Sequence, residues 1–123
     1  MYCSLMYISS MKQNSQLFKG SLTTIVLKLL SEQDRMYGYE ITKKVKELTN
    51  GEVNITEGAL YPSLHKLEAD GLLTVSIEHI GNRPRKYYSL TKAGKKEVQN
   101  KLAELKSFFQ QMQLVLNLPL TTN

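Results

Sequence analysis

Thr56-Glu57-Gly58-Ala59-Leu60-Tyr61-Pro62-Ser63-Leu64-His65-Lys66-Leu67-Glu68-Ala69-Asp70-Gly71, followed shortly by Gly81-Asn82-Arg83-Pro84-Arg85-Lys86, is the stretch that decides the fold of this chain. Leu60, Leu64 and Leu67 share one side of a helical period, Thr56 stands where an N-cap belongs, and Gly71 supplies the stop. Pro62 costs ~3 kcal/mol inside a true helix interior. A start one or two residues after Thr56 would bring Pro62 near the first turn; a start at Gly58 or Ala59 is the alternative, and the sequence leaves the choice open. From Leu72 to His79 the pattern alternates, with Leu73, Val75 and Ile77 on one face and Thr74, Ser76 and Glu78 on the other. Arg85 to Leu90 returns with Tyr88 and Leu90 inward, and Gly81-Asn82-Arg83-Pro84 between them is turn chemistry. A helix that can enter a groove is thus followed by a basic hairpin.

Upstream, Leu22, Ile25, Val26, Leu29 and Leu30 predict a first helix from an N-cap at Ser21 to about Glu32. A second follows Tyr37-Gly38-Tyr39, with Ile41, Val45 and Leu48 inward and Lys43, Lys44 and Lys46 largely outward; Asn50-Gly51 stops it. Val53 to Ile55 reads as a short strand. Residues 1–16 carry no clean period and are expected to be a loosely ordered leader, with Met11 as an alternative start.

The last helix is predicted from about Thr91 to Leu118, where Pro119 ends it and residues 119–123 form a tail. Val98, Leu102, Leu105, Phe109, Met112 and Leu116 are spaced 4, 3, 4, 3 and 4. So narrow a seam fits pairing with another helix. Together with Phe108 these residues predict a homodimer interface, the competing partner being the chain's own first helix. The expected architecture is mainly α with a small β-hairpin: a winged helix-turn-helix over 17–90 and a dimerisation helix over 91–118.

The net charge of +5 is unevenly placed. Arg83 to Lys106 holds eight basic and two acidic residues, a segment of +6, and the remainder is −1. Such concentration marks a polyanion partner more than a solvated helix face. Lys28 breaks the best apolar run at Ile25-Val26-Leu27, far short of the ~20 residues a membrane span needs. No secretory signal is legible, and one cysteine, Cys3, precludes an internal disulfide, so a cytoplasmic protein is expected. His65 and His79 have no partner at ligand spacing, so no metal, cofactor or catalytic group is expected, and no phosphate loop or nucleophile motif is present.

A recognition helix needs small and hydrogen-bonding residues at its leading end. Thr56, Gly58, Ala59 and Ser63 are small, while Glu57, Tyr61, His65 and Lys66 can reach base edges or phosphates, and Pro62 lies among them. Gly58 permits close approach to DNA or meets a backbone requirement of its own; both readings stand. Asn82, Arg83, Arg85 and Lys86 form the wing contribution, arginine being suited to a narrow minor groove or to phosphates. Tyr61 is a candidate phosphate donor, Tyr39 divides between that role and core packing, and Tyr88 belongs to the core.

These residues resemble the PadR family of bacterial transcriptional regulators. The resemblance rests on Tyr37-Gly38-Tyr39-Glu40-Ile41, on Glu57 through Glu68, on Gly71-Leu72-Leu73, and on Gly81 through Gly94, and it covers roughly Leu17 to Leu118. It implies a homodimeric winged-helix repressor of the short form, bound to an inverted repeat near a promoter. Some short members resemble drug sensors that stack flat aromatic compounds on tryptophan between subunits. This chain has no tryptophan, and Leu105 stands about where it would fall. A small aromatic effector would then rely on Phe108 and Phe109, which serve equally as plain interface packing. The rival to an operator-binding regulator is a winged helix used as a protein-interaction module, against which the charge segregation argues.

Overall fold

The computed structural model describes residues 16–119, so all of the leader but Gln16, with Cys3 and the Met11 alternative, and the last four residues of the tail lie outside the described residues. Four helices and a small sheet follow in the order α1 (Gln16–Glu32), β1 (Met36–Tyr37), α2 (Gly38–Leu48), α3 (Glu57–Ala69), β2 (Leu73–Ile80), β3 (Arg83–Leu90) and α4 (Lys92–Leu116). The core gathers Val26 and Leu27 from α1, Ile41 from α2, Leu60 and Leu64 from α3 and Tyr88 from β3, all essentially without exposed surface. Removal of that apolar surface from water, at roughly 25 cal/mol per Å², is the main force holding the helices on the sheet.

Helix α1 begins more than a turn earlier than its period predicts. Ser21 is therefore not a cap; its hydroxyl donates to the Leu17 carbonyl at 3.3 Å from within the helix. Phe18 explains the extension, since it packs against the core from the added turn. Helix α2 ends at the left-handed pair Asn50 (φ 53°) and Gly51 (φ 84°), as its sequence predicts. Leu48, expected inward, is 63% exposed because its stripe runs on past the packed core.

Val53 to Ile55 is not a strand. Ile55 is buried, Val53 is half-buried, and the Val53 N–H donates to the Thr49 hydroxyl at 3.0 Å instead of to a neighbouring strand. The third strand is β1, which pairs antiparallel with β3 through Met36↔Tyr88 and Tyr37↔Tyr87. The sheet order is β1-β3-β2.

The hairpin pairs Leu73↔Leu90 through Ile80↔Arg83, so its turn is only Gly81-Asn82. Arg83 and Pro84, expected in the turn, belong to β3. Gly81 has a φ of 66° and Asn82 does not share its sign, the pattern of a tight hairpin turn with glycine first. Pro84 is admissible because β1 reaches only Tyr87 and Tyr88, leaving that part of β3 without a second neighbour.

Thr56 caps α3 as predicted, its hydroxyl accepting from the Ala59 N–H at 3.1 Å. The helix starts at Glu57, so Pro62 is its sixth residue and lies beyond the first turn, where it costs ~3 kcal/mol relative to alanine. Gly71, at φ 78°, closes the helix while the Leu72 N–H bonds back to the Leu67 carbonyl at 2.9 Å.

Helix α4 is rooted at a compact knot. The Thr91 N–H donates to the Leu72 carbonyl (3.0 Å), the Thr91 hydroxyl donates to the Gly71 carbonyl (2.7 Å), and that hydroxyl accepts from the Gly94 N–H (3.0 Å). A Cβ at Gly94 would lie 2.1 Å from the Leu72 oxygen. Val98, 3% exposed, lies in the chain's own core, and Leu102 packs against it. Val98 is thereby corrected from interface to core: the first half of α4 lies on α1 and has no free face at that position. Gly94→Ala should lower stability by roughly 3 kcal/mol and the melting temperature by roughly 10 °C, measured by thermal unfolding. An unchanged melting temperature would mean the Leu72 carbonyl can move aside at no cost.

Candidate nucleic-acid interface

Helix α3 buries Leu60, Leu64 and Leu67. At 100° per residue the opposite side carries Gly58, Pro62, His65 and Lys66, all exposed. Glu57 and Tyr61 form the flank that faces the wing, where with Tyr39, His65, Arg83 and Lys86 they line an open groove of about 790 Å³. Ala59 and Ser63 lie on the other flank and are half-buried. Ala59 packs against the core, so it is removed from the predicted contact set.

The wing-side flank is already hydrogen-bonded. The Tyr61 hydroxyl donates to Glu57 Oε1 at 3.2 Å, and its ring lies beside His65 at a centroid distance of 6.1 Å. Burial, and then the Glu57 charge, push the Tyr61 phenol above its ordinary pKa, so it keeps its proton. That proton is given to Glu57 in the free protein, so a phosphate reached by Tyr61 would have to displace Glu57 as its acceptor. What Tyr61 and Glu57 offer outward is acceptor capacity. Both sit against Gly38, whose Cβ, if present, would approach the Tyr61 hydroxyl to 3.4 Å. Gly38 thus lets α2 and α3 meet closely at their leading ends.

The wing cations divide into two kinds. Arg83 and Lys86 are exposed beside Asn82 at the tip. Arg85 is half-buried, its guanidinium 4.1 Å from the centre of the Tyr37 ring, and hydrogen bonding to the Tyr87 side chain holds it firmly charged. Arg35 stacks over Tyr87, also at 4.1 Å, and pairs with Glu78 on β2. That bond raises the Arg35 pKa and lowers that of Glu78. Tyr37 meets Tyr87 edge-on at 5.3 Å and Tyr39 face-on at 6.4 Å. Two cation–π contacts therefore brace the base of the wing against β1. Arg35, Tyr37, Tyr87 and Glu78 were not singled out by sequence; the one available signal was period-two spacing, which puts Arg85 and Tyr87 on one face of β3.

Helix α2 adds two lysines that sequence reading left unassigned, beside the Tyr39 it had named. Tyr39, 53% exposed, is in line with Lys43 and Lys46, and all three border a second groove beside the α2–α3 turn. The first helix of such a pair crosses the DNA backbone, where two lysines and a phenol are the fitting chemistry. Tyr39 accordingly leaves the core and joins the candidate contacts. Lys66 pairs with Asp70 at 3.2 Å, but as an exposed i,i+4 pair it exchanges readily for a phosphate. Among the described residues no cluster of three histidine, cysteine or carboxylate groups could hold a metal ion, and no helix is long and apolar enough to cross a membrane.

Comparison with known proteins places the fold in a family. A family model described as the transcriptional regulator PadR-like family matches residues 26–100. Among solved structures, a transcriptional regulator from Clostridium thermocellum is 31% identical with a TM-score of 0.71, over 84% of this chain and 96% of that one. A PadR family regulator from Eggerthella lenta is 28% identical with a TM-score of 0.72, over 97% of this chain and 100% of that one. The transcriptional regulator YqjI of Escherichia coli is 35% identical over 75 residues, which are 61% of this chain but 34% of that protein. The match thus spans about a third of that relative. With a family model running from the second half of α1 through the first third of α4, and regulators of the same winged-helix fold beside it, the chain belongs to the PadR-like family of transcriptional regulators.

Proposed function

We propose that this protein is a homodimeric repressor that reads an inverted-repeat operator in the cytoplasm. The observation that carries the reading is the meeting of the exposed α3 face with the free cations Arg83 and Lys86 in one open groove. Each α3 enters a major groove, Tyr39, Lys43 and Lys46 track the backbone, and the wing tip rests on phosphates or in the adjacent minor groove. Paired helices of this kind require half-sites about one turn, ~34 Å, apart or a multiple of it. Arg85 acts indirectly, by holding the wing at its angle.

The second half of α4 supplies the dimer surface in this reading. Phe109 and Leu116, 52% and 57% exposed, continue the seam past Leu105 and Phe108, which still border α1, and through Met112 to the end of the helix. A protomer has no reason to display such a stripe unless it is covered on assembly. A groove of about 380 Å³ between α1 and α4, bordered by Leu105 and Phe108, is where a small aromatic effector would stack.

Selection of bound duplexes from a random pool, at two salt concentrations, tests the operator. An enriched inverted repeat with salt-sensitive affinity is expected; weak, uniform binding would transfer the α3 face to a protein partner. Lys86→Gln should weaken binding to all sequences alike and flatten the salt slope by about one, because a single phosphate contact is lost. A changed base preference at one operator position would instead put Lys86 on a base edge. In sedimentation velocity the wild type should run as a dimer and Phe109→Glu as a monomer with unchanged helical circular dichroism. A monomeric wild type would sink the dimer.

A further inference from the structure

The outward face of α3 centres on two residues that suit a helix poorly and that the chain's own packing does not require. Gly58 is exposed, has no left-handed φ, and a Cβ built on it would meet nothing within 4 Å. Pro62 is exposed as well, on a trans peptide inside the helix. They stand four residues apart. In an α-helix the carbonyl of residue i accepts from the N–H of residue i+4, and proline has none. The Gly58 oxygen therefore loses its helical donor. The proline ring crowds that oxygen away from the axis, and it lies between Gly58 and Pro62, opposite the buried stripe of Leu60, Leu64 and Leu67.

We infer that the Gly58 carbonyl is a base-reading group, accepting a hydrogen bond from an exocyclic amino group at the edge of a major-groove base, N4 of cytosine or N6 of adenine. The inference rests on α3 being the DNA-reading helix. An oxygen that can only accept has nothing to gain from a phosphate. Guanine and thymine present acceptors there, so of the four bases cytosine and adenine alone carry the matching donor. Glycine lets the backbone come close enough, and the helix holds the oxygen in place without a side chain to order. The neighbouring chemistry has the same sign: the Tyr61 proton is given to Glu57, so both of those groups add acceptors on the adjoining flank. In the free protein water satisfies the carbonyl; on docking that water must be replaced by a donor, which is the source of discrimination.

Pro62→Ala is the informative variant, because it restores the missing N–H and occupies the Gly58 oxygen within the helix. It removes a helix breaker, so a raised melting temperature is expected and misfolding does not confuse the result. In duplex selection the wild type should prefer cytosine or adenine at one position in each half-site by on the order of tenfold. Pro62→Ala should lose that preference while keeping the other positions and the salt slope. Replacing that base by its analogue without the amino group, 2-pyrimidinone for cytosine or purine for adenine, should weaken the wild type by a similar factor and Pro62→Ala hardly at all. Which analogue acts identifies the base. A full preference retained by Pro62→Ala, or an equal penalty from the analogue in both proteins, overturns the inference alone. A wild type that enriches no motif overturns it together with the operator reading.

Discussion

The placement of every functional element depends on one short contact, the approach of α4 to the Leu72 carbonyl. That oxygen accepts from the Thr91 N–H, and the space beside it is open only because residue 94 has no side chain. Thr91 also bonds the Gly71 carbonyl, so the end of α3, the start of the hairpin and the root of the last helix share one residue's hydrogen bonds. Each of those backbone groups would otherwise be an unsatisfied helix or strand terminus. That closure ties the hairpin to the end of α3, beside the buried Tyr88 that anchors β3 in the core.

Around this frame the basic residues do different work although they look alike in the chain. Arg35 and Arg85 are held over tyrosine rings, and Arg35 is also neutralised by Glu78. They give the wing stiffness. Arg83, Lys86, Lys43 and Lys46 are exposed and keep their charge for a partner. A count of cations near the wing therefore overstates the number of phosphates it can meet. Preorganisation matters here because a wing fixed before binding does not lose freedom on the DNA.

Features set by neighbouring residues were legible before the fold was known. The Thr56 cap, the Gly71 stop, the presence of a hairpin turn after Gly81, though not its exact length, and the inward Tyr88 each follow from chemistry within a few positions. Other features depend on partners far along the chain. Strand β1 is two residues long, carries no period, and exists only because Tyr87 and Tyr88 lie beside it. The stacking of Arg85 on Tyr37 is invisible for the same reason. Val98 shows the opposite failure: its spacing was correct for a seam, but periodicity gives the face of a helix and not the identity of what covers it. On α3 the exposed side was legible from the buried leucine stripe, whereas the pairing of Tyr61 with Glu57, which changes what that side can donate, was not.

Helix α4 begins as core and ends as surface, and this has a consequence for where the chain can be divided. A cut after Leu90 looks natural, since the hairpin ends there and a helix begins. It would remove Thr91, Gly94 and Val98 together, expose the underside of α1, and free the Gly71 and Leu72 carbonyls. The smallest piece able to fold alone therefore extends into α4 past Leu102. Within a single uninterrupted helix the root is built into the core and the tip is not, so damage near its root acts on folding first.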